Sequence, residues 1–159
     1  MGFSIEFTGE PDEYLDDDPS VPSAIGRITA GELDEEFASS LYEWNKETYE
    51  SQWLDSLTRF VNGAGKAVLI TWYVNPKESP NLQWWALYRA EGGIVHVQNH
   101  LRWYDNLGRE FSVDEASSFL ADRITISEDG LSISEWHVPI RDIEAFLERL
   151  HTKQADRRS

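Results

Sequence analysis

The sequence predicts an α+β fold, an antiparallel β-sheet with flanking amphipathic helices in a single domain. Three observations carry this. Strand-like apolar runs at 66–74, 82–90 and 94–103 follow one another with only turns between them, which suits antiparallel neighbours. Two other stretches, 46–62 and 139–150, space their apolar residues three and four apart, the period of a helix with one buried face. A length of 159 residues suits one domain, and the chain shows no internal repeat.

Taken in order, Phe3, Ile5 and Phe7 alternate with polar residues and predict a short strand that ends at Gly9-Glu10-Pro11. Residues 10–23 hold three Pro and six acids and read as a loop. Ile25–Ala30 and Phe37–Leu41 are expected to be short strands joined around Gly31. On the first helix Tyr49, Trp53, Leu54, Leu57, Phe60 and Val61 form the apolar stripe, and Asn62-Gly63 is the stop. Lys66–Val74 is almost continuously apolar, as in a strand covered on both faces.

A two-residue hairpin turn at either Glu91-Gly92 or Gly92-Gly93 sets even positions of one strand opposite odd positions of the next. On that register Leu82, Trp84, Ala86 and Tyr88 share a core face with Val95, Val97, Asn99, Leu101 and Trp103. Asn99 then requires a partner in the core. Trp85 falls on the other, mixed face with Arg89, His96, Gln98, His100 and Arg102. Ser112-Val113-Asp114-Glu115 has the pattern of a capping box opening a short helix. Leu131–Trp136 is a further strand candidate, and Pro139 suits the first turn of a last helix bearing Ile140, Ile143, Phe146, Leu147 and Leu150. The domain is expected to span 1–152, with 153–159 a disordered tail.

Charge is concentrated at one end. The chain carries 14 Lys+Arg against 29 Asp+Glu, a formal net charge of −15. Of this, −12 lies in residues 1–50, where 14 acids face only Arg27 and Lys46. Such a field repels polyphosphate, so nucleic acid is not expected as a direct ligand, whereas a basic protein is. Without Cys there are no disulfides, thiolate metal sites or cysteine nucleophile. No apolar run approaches the roughly 18 residues of a membrane span, and the N-terminus has no basic-then-apolar signal, so a cytoplasmic location is expected.

Motifs for chemistry are sparse. His96 and His100 share a strand face but stand about 13 Å apart along an extended strand, too far to chelate one ion, and no metal or cofactor is expected. His137 beside Glu135 offers either further ligands or an acid–base pair, and a lone pattern of this kind is weak. No Gly-x-Ser-x-Gly elbow occurs, and Gly63-Ala64-Gly65 follows a helix and precedes a strand, the reverse of a phosphate loop. Asp16-Asp17-Asp18 lacks the Gly and distal Glu of a calcium loop.

Several segments together carry a resemblance: Phe3…Gly9-Glu10-Pro11; Trp44…Tyr49…Ser51…Trp53-Leu54…Ser56-Leu57; Val97-Gln98-Asn99; and Gly130…Ile133-Ser134-Glu135-Trp136-His137. In this order they resemble the immunity proteins of bacterial contact-dependent growth inhibition systems, in particular the type paired with a toxin that cleaves small-subunit ribosomal RNA. The resemblance implies a non-enzymatic inhibitor, held in the cytoplasm, that binds the basic C-terminal nuclease toxin domain of a contact-dependent inhibition effector. It also implies an antiparallel sheet with flanking helices. Charge then nominates Asp16, Asp17, Asp18, Asp34, Glu35 and Glu36 as partner-binding residues, with Trp85 on the mixed sheet face. Two rival readings are an interaction module unrelated to toxins, using the acidic third or the Trp85 face, and a hydrolase using Glu135 and His137.

Overall fold

The structure, a computed structural model, describes residues 2–8, 13–14 and 22–158. The alternating apolar residues of the N-terminus form β1 (Phe3–Phe7), which pairs antiparallel with β3 (Pro22–Ala30). A short β2 (Glu13–Tyr14) pairs with the start of β3, and β4 (Leu33–Ser40) covers its other edge. Gly31 makes the turn between β3 and β4 at φ 62°, where a Cβ would lie 2.3 Å from the His137 carbonyl oxygen. Only glycine fits both the backbone sign and that approach. The turn thereby seats the first sheet against the second.

The second sheet has the order β5 (Lys66–Trp72), β6 (Asn81–Arg89), β7 (Ile94–Trp103), β8 (Trp136–Pro139), all antiparallel. The expectation of one sheet thus becomes two. Helix α1 (Lys46–Val61) is capped by Asn45, whose Oδ1 accepts from the Thr48 N–H at 2.8 Å, and it buries Tyr49, Trp53, Leu57 and Phe60. It also closes the outer edge of β5. Gln52 donates to the Val68 carbonyl (3.0 Å) and accepts from the Ile70 N–H (2.9 Å), while Trp53 Nε1 donates to the Ile70 carbonyl (2.6 Å). Side-chain amide and indole take the place of a fifth strand, which removes a pairing template.

Helix α2 (Ile140–Arg158) begins directly after Pro139 and buries Ile143, Phe146 and Leu147. Its backbone stays helical from Lys153 to Arg158, the stretch that the sequence expects to fray. Residues from both sheets and both helices join in one core. Between β7 and β8 the chain crosses one face of the second sheet, with Phe111 stacked near Trp84 (6.4 Å) and Phe119 near Phe111 (5.1 Å). The expected capping box does not form: Ser112 makes no side-chain cap, and Val113–Phe119 is a 3-10 segment kinked at Glu115.

The β6–β7 register differs from the expectation in one decisive respect. Ala90 N–H donates to the Ile94 carbonyl at 2.8 Å, so Glu91, Gly92 and Gly93 form a three-residue turn, both glycines with positive φ. Three loop residues instead of two pair even positions with even and odd with odd: Trp84 faces His100, Tyr88 faces His96, and Trp85 faces Asn99. Trp84 therefore shares a face with His96, Gln98 and His100, and Trp85 with Val97, Asn99 and Leu101. Both indoles are buried all the same, because both faces of mid-sheet are covered. Asn99, Leu101 and Trp103 are exposed, and the buried polar residue of β7 is Gln98.

Candidate protein-binding surface

The outward face of the first sheet is built by register. Glu6, Arg27 and Glu36 lie in one row across β1, β3 and β4, and Ser4, Thr29 and Asp34 in the next. Arg27 grips Asp34 with two hydrogen bonds, Nε to Oδ1 (2.6 Å) and Nη2 to Oδ2 (2.7 Å), which hold the Asp34 carboxyl below its ordinary range. Glu35 and Glu36 are exposed on opposite sides of the edge strand, where charge also discourages further strand pairing. So Asp34, Glu35 and Glu36 do reach solvent together. Asp16, Asp17 and Asp18 lie outside the described residues. Beside this face a groove of about 290 Å³ between β1, α1 and α2 is lined by Glu6, Glu47 and Glu50 over Phe7, Trp53 and Phe146, so the acidic surface continues onto α1.

Trp85 cannot offer a surface here. It is 1% exposed, edge-on to Trp136 at 6.0 Å, because the three-residue turn places it on the face with Val95 and Val97. An accessible aromatic on the second sheet is one that the two-residue register assigns to the core. Trp103 is 46% and Leu101 49% exposed, both on the same face of β7. They stand out because β8 pairs only with Ile94–Val97, leaving the rest of that edge of β7 without a strand among the described residues.

The other polar cluster lies on the Trp84 face. Trp84 Nε1–H is a donor only and lies 3.2 Å from His100 Nδ1, so that nitrogen is the acceptor and the proton sits on Nε2. His100 Nε2 then donates to Gln98 Oε1 at 2.8 Å, and the Gln98 amide donates to the Ile124 carbonyl (2.9 Å) and to Glu135 Oε2 (2.8 Å). Arg123 completes the chain with paired bonds to the Glu135 carboxylate, 2.7 Å from Nε and 2.6 Å from Nη2. Burial pushes His100 down to about 4, with Arg102 adding to it. Glu135 is held down at about 2, first by the Arg123 hydrogen bond and against its own burial.

The register also brings His96 and His137 directly opposite each other on β7 and β8, with ring centroids 4.7 Å apart. Glu135 Oε1 stands 3.3 Å from His96 Nδ1 and 3.2 Å from His137 Nε2. Spacing along a single strand pairs His96 with His100 instead, places Gln98 on a mixed face without a role, and does not point to Arg123. Arg123 is twelve residues from Glu135 and carries no local signal; only the register and the course of the 104–135 segment disclose it.

Comparison with known proteins adds three findings. The CdiI N-terminal domain family matches residues 39–146. The immunity protein CdiI of Enterobacter cloacae subsp. cloacae is 28% identical over 149 residues, 94% of this chain and 99% of that protein. A chain of the CdiA-CT/CdiI toxin and immunity complex from Enterobacter cloacae superposes with a TM-score of 0.81 at 26% identity, covering 94% of this chain and 99% of that one.

Proposed function

Since the chain belongs to the CdiI N-terminal domain family, we propose that it is an immunity protein that binds and neutralises the C-terminal toxin domain of a contact-dependent inhibition effector, and that this toxin is a basic nuclease of the RNase type met in the cytoplasm. The observation that carries the reading is likeness over nearly the whole chain to a member of a toxin–immunity complex. Charge supports the finer part. A nuclease is basic because its substrate is polyanionic, and a partner of net charge −15 draws it in and rejects acidic competitors. No helix among the described residues is long and apolar enough to cross a membrane.

Inhibition in this reading is binding without catalysis. Glu135, the carboxylate of the rival hydrolase reading, is locked by Arg123 and Gln98 and ionised far below neutrality, a poor setting for moving protons at pH 7. The contact residues are Asp34, Glu35 and Glu36 on the acidic sheet and, on the ground of their charge alone, Asp16, Asp17 and Asp18. The test mixes the purified chain with the toxin domain encoded beside its gene and follows ribosomal RNA cleavage. The expected result is a stable complex and loss of cleavage at one equivalent. No complex, or unaltered cleavage within a complex, overturns the reading.

A further inference from the structure

His96, Glu135 and His137 bring one donor atom each to within 4.8 Å of one another, and the polar network leaves one of the three, His96 Nδ1, without a hydrogen bond. The separations are informative. Charge-assisted N–H···O bonds close to about 2.7–2.9 Å, whereas two ligands of one tetrahedral ion at about 2.0–2.1 Å stand roughly 3.3 Å apart. The Glu135 Oε1 distances to His96 Nδ1 and His137 Nε2 are 3.3 and 3.2 Å; the second is a long hydrogen bond, while the first pair makes none. His96 Nδ1 is moreover fully buried and makes no hydrogen bond of acceptable geometry. A buried nitrogen without a partner, aimed at a carboxylate and a second imidazole, lacks an ion or a proton between them.

We propose that His96 Nδ1, Glu135 Oε1 and His137 Nε2 bind a divalent transition-metal ion of the zinc class, the fourth position facing solvent beside the half-exposed His137. Two imidazoles and one carboxylate suit zinc and its neighbours and not calcium or magnesium, which take oxygen sets. The ligands are preorganised. The histidines are register partners on paired strands, and Glu135 is oriented by Gln98 and Arg123, the kind of support that outer groups give a ligating carboxylate. Arg123 also brings a positive charge 2.6 Å from Oε1, which opposes the ion and keeps the affinity below what a neutral hydrogen-bond donor at that place would allow. The distance between His96 and His100 along β7 has no bearing on this site, whose ligands meet across strands. The inference stands apart from the immunity reading.

The experiment titrates the chelator-treated full chain with zinc against a chromophoric chelator and repeats the titration with cobalt, reading visible d–d absorption. One ion per chain is expected, with strong four-coordinate cobalt bands and a raised melting temperature. His137→Ala, at a half-exposed site, should stay folded by circular dichroism, weaken zinc by about 100-fold and abolish the bands. His96→Gln is the second variant, with the same expected loss, and His151→Ala on the exposed side of α2 should bind as the wild type does. No stoichiometric uptake by the wild type, or uptake untouched by both ligand variants, overturns the proposal.

Discussion

At the scale of single residues, the strongest statement concerns protons. Trp84, His100, Gln98, Glu135 and Arg123 form a directed relay of hydrogen bonds in which each orientation fixes the next. Two members have depressed native pKa values, His100 from 6.5 to about 4 and Glu135 from 4.5 to about 2. In both cases the unfolded chain takes up the proton first, so the native state loses stability as the pH falls. The His100 share is complete above about pH 6.5 and is lost between there and 4; the Glu135 share is complete above about 4.5 and is lost towards 2. Urea denaturation in steps of pH should show both segments. His100→Gln, which keeps one donor and one acceptor, should flatten only the upper segment, and Glu135→Gln only the lower. Identical slopes in wild type and variants would mean that these groups titrate alike in both states.

Among the elements, the β6–β7 hairpin decides most. One added turn residue exchanges the faces of a whole strand, since side chains alternate with a period of two. The sequence could place both strands within a residue or so, yet Glu91-Gly92-Gly93 permits either loop length, because glycine tolerates the positive φ of both turns. The consequence can be measured. Trp53 and Trp84 are buried, so Trp→Ala at either should cost about 3–5 kcal/mol in chemical denaturation. Trp103→Ala should stay within about 0.5 kcal/mol of wild type, since its ring stands out beyond the end of the β7–β8 pairing. A large loss at Trp103 would restore the two-residue register, and none at Trp84 would contradict both registers, since each places that ring in the core.

For the whole molecule, the asymmetry of charge is the feature that a partner meets first. Exposed carboxylates on an edge strand steer more than they anchor, and each alone is worth little. Changing Asp34, Glu35 and Glu36 together to Asn, Gln and Gln should slow association with the toxin domain at low salt while leaving dissociation nearly unchanged. The difference should shrink at physiological ionic strength, where screening acts over about 8 Å. Stopped-flow association at two salt concentrations reads this directly, and equal on-rates at low salt would remove β4 from the encounter surface.

The sequence by itself determined the class of the fold, the two main helices with their apolar stripes, most strands and the acidic bias, because each is written in local periodicity or in composition. The helix expected at 46–62 is α1 at Lys46–Val61, and Phe3, Ile5 and Phe7 make β1 as their alternation requires. Only the tertiary structure decided that there are two sheets, that Trp85 is interior and Trp103 exterior, and that His137 is the neighbour of His96. The reason is physical. Pairing register depends on how a short turn closes, and the relay from Trp84 to Arg123 joins strands to a segment that returns from far along the chain. Neither the turn's closure nor the course of 104–135 leaves a periodic trace in the residues that depend on them.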